Sequence, residues 1–242
     1  MEKELTILLV LLLSVGVTTG QNMHYNLMVY VLQWTPTFCK INTCKPNTQQ
    51  IFSIHGLWPA DSTGHSLTSC PRPPPAAEDL KVDLLLASDN KLEIELKAIW
   101  PNLKAGKDDR EFWKYEWWKH GLCSKAALPL SAYFNAAVRV NNMIKKEMKT
   151  KNQHDYLDAG GVQPSQTHTY TKQAISSAVQ KVVGENNNVY ISCINLNGKI
   201  LLKEIHICLD TTLHQFISCP AAAASNIERA CRSAGLGIII PI

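Results

Sequence analysis

Eight cysteines constrain this chain more than any other feature: Cys39, Cys44, Cys70, Cys123, Cys193, Cys208, Cys219 and Cys231. What they mean depends on the redox compartment, and the N-terminus bears on that. Met1-Glu2-Lys3-Glu4 precedes an apolar run from Leu5 to Val17, broken only by Thr6 and Ser14. The run falls short of the roughly 20 residues that a membrane span needs. Thr18 and Gly20 are small residues at the spacing of a cleavage site. A signal peptide over residues 1–20 is expected, leaving a secreted mature chain of 21–242. Its n-region is weak, since Lys3 is offset by Glu2 and Glu4. In an oxidising compartment an even cysteine count implies four disulfides. Roughly a hundred pairings are possible, and sequence alone does not choose among them. No CxxC or HxxxH spacing supports zinc, and no metal or other cofactor is expected. No later segment is apolar enough for a span, and the tail from Gly237 to Ile242 is too short for a lipid-anchor signal.

Hydrophobic periodicity sets the fold class. Tyr25–Trp34 reads as a buried strand ended by Pro36. Residues 60–78 are rich in Ser, Thr, Gly and Pro and read as an exposed loop, stiffened by Pro71-Arg72-Pro73-Pro74-Pro75. Leu80, Leu84, Leu92, Leu96 and Ile99 recur at helical spacing, with a break at Ser88-Asp89-Asn90. Pro129–Lys149 and Thr171–Val183 read as helices, the second stopped by Gly184. The period then drops to two: Val189, Ile191 and Cys193 alternate, as do Ile205, Ile207 and Leu209. Asn197-Gly198 between them marks a hairpin, and Gly237–Ile242 is available as a last strand. One α+β domain is expected, with a central antiparallel sheet packed against several helices.

The candidate chemistry lies in two stretches. Phe112-Trp113-Lys114-Tyr115-Glu116-Trp117-Trp118-Lys119-His120-Gly121-Leu122-Cys123 places Glu116, Lys119 and His120 three and four positions apart, on one helical face. Carboxylate, ammonium and imidazole together can move protons and stabilise an anion. Taken alone, an amphipathic helix with an exposed salt-bridge face explains the pattern equally well. The second stretch, Phe52-Ser53-Ile54-His55-Gly56-Leu57-Trp58-Pro59, sets His55 between an apolar strand-like run and a Gly/Pro turn. Together the two resemble the paired signatures of the ribonuclease T2 family, IHGLWP and EWxKHGxC, and both stand unbroken.

That resemblance implies an endoribonuclease. RNA supplies its own 2′-OH nucleophile, one imidazole takes its proton, and another protonates the departing 5′-oxygen, leaving a 2′,3′-cyclic phosphate. His120 is implied as base, His55 as acid, Lys119 as the cation facing the phosphorane, and Glu116 as an orienting or phosphoryl-bonding group. Trp58 is expected to stack on a base, with Gln33 and Phe112 contacting a second one. Trp117 and Trp118 lie about 100° apart on a helix and are read as structural. The plant branch implies the pairs Cys39–Cys44, Cys70–Cys123, Cys193–Cys231 and Cys208–Cys219. Tyr115 departs from a frequent histidine and implies weaker phosphate binding, and no Asn-x-Ser/Thr sequon occurs. Removing residues 1–20 deletes one Lys and two Glu and moves the formal charge from +4 to +5, which favours an anionic partner. The expected partner is RNA. In a pistil self-incompatibility ribonuclease a pollen-side F-box protein would join it. A monomer free of membrane is expected. The competing roles are an S-like ribonuclease for phosphate recycling or defence, and a storage or binding protein on a dead scaffold.

Overall fold

Every residue of β1 (Leu27–Trp34) is buried, which requires a strand covered on both faces and paired on both edges. In the computed structural model, which describes residues 25–148, 155–158, 160–232 and 237–242, β1 has that position. It pairs antiparallel with β2 (Phe52–Ala60) on one side and with the long β5 (Lys199–Leu209) on the other. The expected signal peptide lies outside the described residues.

Between β1 and β2 the chain makes α1 (Thr35–Ile41). Pro36 therefore starts a helix, where its missing N–H costs nothing. After β2 come α2 (Pro75–Ser88), α3 (Asn90–Ile99), α4 (Asp109–Lys119) with a 3₁₀ turn at Gly121–Cys123, and α5 (Leu130–Glu147). The short α6 (Asp155–Asp158), β3 (Thr169–Tyr170) and α7 (Lys172–Val183) lead into β4 (Tyr190–Leu196). After β5 the chain closes with β6 (Phe216–Ile217), α8 (Ala221–Ile227), α9 (Arg229–Arg232) and β7 (Ile238–Ile239). β4 and β5 form the expected hairpin, and Asn197 and Gly198 both have positive φ, at 52° and 79°. β7 is shorter than expected and joins β5 in parallel at Leu201–Ile239, while β3 pairs with it antiparallel.

Alternation sorts the sheet's two faces. Met28, Tyr30, Leu32 and Trp34 join Ile54, Leu57, Ile205 and Ile207 in the main core beneath the helices. Leu27, Val29, Val31, Cys208 and Tyr190 form a smaller cluster on the opposite face. The inward stripe of α2 is Glu78, Val82 and Leu86, two positions out of phase with the Leu80/Leu84 pair noted in the sequence. Leu80 and Leu84 are 58% and 60% exposed. The buried Glu78 decides the phase, since it accepts the indole N–H of the buried Trp117 at 2.9 Å and pairs with Lys81 and Lys125. The four disulfides pair as the plant branch implied. Among the described residues no helix is long and apolar enough to cross a membrane.

Candidate active site

β2 forms one edge of the sheet, and its register against β1 breaks at His55. Val31 faces Gly56 while Leu32 faces Ile54, so His55 is the extra residue of a β-bulge. A bulge re-aims a side chain and exposes backbone to other partners. The His55 carbonyl accepts the Trp100 indole N–H at 2.9 Å, and the Leu57 carbonyl accepts the Tyr133 hydroxyl at 2.8 Å. A Gly/Pro turn is expected directly after His55. The strand instead continues to Ala60, because these side-chain donors hold its outer edge.

α4 starts with Asp108 capping the Glu111 N–H and buries Trp113 and Trp117. Its last carbonyls meet Arg72, which bonds the Lys119 oxygen at 3.0 Å and stacks over Trp118 at 4.5 Å. The 60–78 loop thus rests on α4, tied by Cys70–Cys123 and by the Trp118 indole donating to Pro73. The helix ends at Lys119 with His120 as its cap, which puts Gly121 just past the end, the place a stop glycine takes. Gly121 is required by crowding: a Cβ there would lie 2.2 Å from the Trp117 ring. Gly56 has the same role opposite, where a Cβ would lie 2.0 Å from Trp58 Nε1 and 2.4 Å from Glu116 Oε2.

That gap at Gly56 accommodates the central contact of the site. Trp58 donates its indole N–H to Glu116 Oε2 at 2.8 Å. Its ring stacks on His120, with centroids 4.7 Å apart and planes 22° apart, and meets His55 edge-on at 5.0 Å. Trp58 was expected to stack on a nucleobase, but one face of its ring is occupied by His120. Phe112 stacks on the far side of His55 at 6.2 Å.

The two imidazoles sit in opposite electrostatic environments. Burial and the Lys119 charge push His120 down to about 3, so it is neutral, and its Nδ1 has no hydrogen-bond partner among the described residues. His55 feels burial too, but the hydrogen bond and charge of Glu204 outweigh it and raise its pKa. Glu204 Oε1 lies 2.8 Å from His55 Nδ1. Burial opposes the Glu204 charge, yet hydrogen bonds from His206 and His55 hold its carboxyl well below the usual range. Burial raises the Glu116 carboxyl, against the pull of His55, Trp58 and Lys119.

A cleft of about 650 Å³ opens onto this group. Gln33, His55, Phe112, Tyr115, Lys119 and Glu204 line it, together with Lys104, Lys107 and Lys203. The two residues expected at a second base, Gln33 and Phe112, therefore share one cavity with His55. Gln33 is buried and donates to Ser53 Oγ at 3.3 Å. Tyr115 is half exposed, with Lys119 Nζ over its ring at 5.2 Å. Glu204 and His206 escaped the sequence reading. The signal was the β5 alternation itself: with Ile205 and Ile207 in the core, Glu204 and His206 must face the other way.

The ribonuclease T2 family profile matches residues 25–219. The chain belongs to the ribonuclease T2 family. Ribonuclease S-2 of Pyrus pyrifolia is 30% identical over 212 residues, 86% of this chain and 87% of the relative. Intracellular ribonuclease LX of Solanum lycopersicum is 30% identical over 227 residues, 90% of this chain and 87% of the relative. A variant of RNase MC1, an enzyme of bitter gourd seeds, solved with 5′-GMP, superposes with a TM-score of 0.65 at 26% identity. That match covers 81% of this chain and 94% of the other. The ribonuclease thus has a plant T2 fold, and His55, Glu116 and His120 converge around Trp58 within it, with Lys119 beside them over Tyr115.

Proposed function

We propose that the mature chain, 21–242, is a secreted endoribonuclease that cleaves single-stranded RNA through a 2′,3′-cyclic phosphate, without a metal. The observation that carries this reading is the contrast between the two imidazoles, Glu204 facing His55 and burial beside Lys119 surrounding His120, which suits them to complementary proton roles at one pH. Neutral His120 accepts the 2′-OH proton as the oxygen attacks phosphorus. Protonated His55 gives its proton to the departing 5′-oxygen. Lys119 faces the charge that builds on the phosphoryl oxygens, a contribution made only in the transition state. Glu116 is fixed by Trp58 beside His55 and Lys119. Gln33 and Phe112 offer a hydrogen bond and an apolar face to a base in the cleft. The test is digestion of single-stranded RNA with EDTA present, followed by analysis of the new 3′ ends. Cyclic phosphate ends are expected; loss of cleavage in EDTA overturns the metal-free reading.

Within this activity the role proposed is the pistil S-ribonuclease of gametophytic self-incompatibility, acting as a monomer and recognised by a pollen-side F-box protein. Tyr115 in place of a histidine, the basic mature chain and the Pyrus S-2 relative support it. The equally identical intracellular ribonuclease LX favours the alternative, an S-like enzyme of phosphate recycling or defence. Transcript confined to styles supports the first role; strong expression in roots or phosphate-starved leaves, with none in styles, overturns it.

A further inference from the structure

β5 reaches the active site beside β1, with Glu204 opposite Gln33 and His206 opposite Val31. Both β5 residues are buried. The Glu204 carboxylate uses each oxygen separately: Oε1 meets His55 Nδ1 at 2.8 Å and Lys203 Nζ at 3.3 Å, while Oε2 meets His206 Nε2 at 3.2 Å. His206 is wedged edge-on against Trp58 at 5.7 Å and Tyr190 at 6.3 Å. The carboxylate is thus clamped from behind, and its remaining freedom is directed at His55.

We infer that Glu204 is a positioning residue for His55: it accepts the Nδ1 proton, leaves Nε2 for the cleft, and is itself held by His206. The inference rests on the ribonuclease reading of His55 as general acid. A buried acceptor on Nδ1 selects one tautomer and one ring orientation. Its charge also favours the imidazolium that a general acid must be before it reacts. The other charges facing His55 are Glu116 from α4, which acts in the same direction, and Lys203 from β5, which opposes it. Phe112 and Trp58 complete the walls without charge.

The experiment has an arm that needs no RNA. In Glu204→Gln protein the His55 ring, followed by NMR across pH, should titrate lower by about one pH unit or more, the scale of losing an adjacent opposite charge. The basic limb of kcat/KM should move down with it while KM changes little. Glu204→Asp should restore part of both. An unmoved His55 midpoint, whatever happens to activity, overturns the inference and leaves Glu204 structural. Should Glu204→Gln fail to fold, the wild-type chain still decides. ¹⁵N shifts of neutral His55 should show the Nδ1–H tautomer, and an Nε2–H tautomer overturns the proposal. Because titration and tautomer are read without substrate, a chain that cleaved no RNA would be recognised separately from one lacking the His55–Glu204 coupling.

Discussion

Trp58 and His120 lie face to face, centroids 4.7 Å apart, so the indole expected to meet a nucleobase instead walls in an imidazole. The same indole donates to the buried Glu116 at 2.8 Å. Trp58→Phe should keep much of the stacking and lose the hydrogen bond. Leaving a buried acceptor without its donor costs about 1–3 kcal/mol. A lower melting temperature is expected, with kcat falling more than KM rises. If the variant raises KM alone, Trp58 serves substrate binding and not the arrangement of the site.

Removing either imidazole should abolish cleavage while the fold survives. Loss of one partner in a general acid–base pair costs about 10²–10⁴-fold. His55→Ala and His120→Ala, each checked by circular dichroism, are the variants to assay on RNA. A folded His120→Ala enzyme with wild-type turnover would sink the mechanism. Lys119→Gln should lower kcat more than it raises KM, because its charge matters most once the phosphorane forms.

The two imidazoles also fix how pH acts. The proposed mechanism needs neutral His120 and protonated His55, so activity should persist well below pH 6.5 and fall as His55 deprotonates above it. Stability follows from the same shifts. In the unfolded chain His120 takes up a proton near 6.5, whereas in the native chain it does so only near 3. Between those values the unfolded state binds more protons, so stability must fall as pH falls. Glu204, held low in the native state, adds to that loss below about 4.5. His55 works oppositely: its contribution is complete below 6.5 and disappears as pH rises through its raised native value. Melting temperatures across this range should show an acid slope that His120→Asn flattens. An equal slope in that variant would contradict the burial of His120.

The pieces legible in the sequence were those with local signatures. Asn197-Gly198 marked the hairpin, Thr171 and Gly184 bracketed α7, and the two motifs marked His55, Glu116, Lys119 and His120. What escaped depended on tertiary partners. The edge around the His55 bulge depends on Trp100, 45 residues from the His55 carbonyl it bonds, and Tyr133, 76 residues from the Leu57 carbonyl it bonds. The phase of α2 depends on Glu78 finding Trp117 across 39 residues. Glu204 sits 149 residues from His55 and belongs to neither motif. Periodicity placed it on the right face of β5, but only the sheet register shows what lies opposite.

Cys70–Cys123 should be the bridge whose loss hurts most. It closes 53 residues of chain, more than any of the other three, and fastens the loop to the end of α4. Chain entropy alone gives such a closure about 4 kcal/mol. Denatured, unreduced mature protein should contain no free thiol. A Cys70→Ala/Cys123→Ala double variant should melt markedly lower and lose activity, and wild-type melting would refute the bracing role.

Recognition and toxicity should separate by mutation if the pistil role holds. Catalysis is built from β2, α4 and β5, whereas residues 61–97 form the loop, α2 and most of α3. This segment presents Leu80, Leu84 and Ile94, each more than half exposed. Those leucines lie on the α2 face away from Val82 and Leu86, so changing them disturbs no core contact. The segment is nevertheless fastened to the catalytic helix through Cys70, Arg72, Pro73, Glu78, Asp83 and Glu93. An exchange with another allele must therefore keep those six positions. Such a chimaera, carrying new residues 61–97, should cleave RNA at the parental rate but change which pollen is rejected. The complementary protein, His55→Ala with the parental surface, should bind the pollen partner and fail to arrest growth. Rejection that follows the catalytic scaffold instead of the exchanged surface would rule out 61–97 as the recognition element.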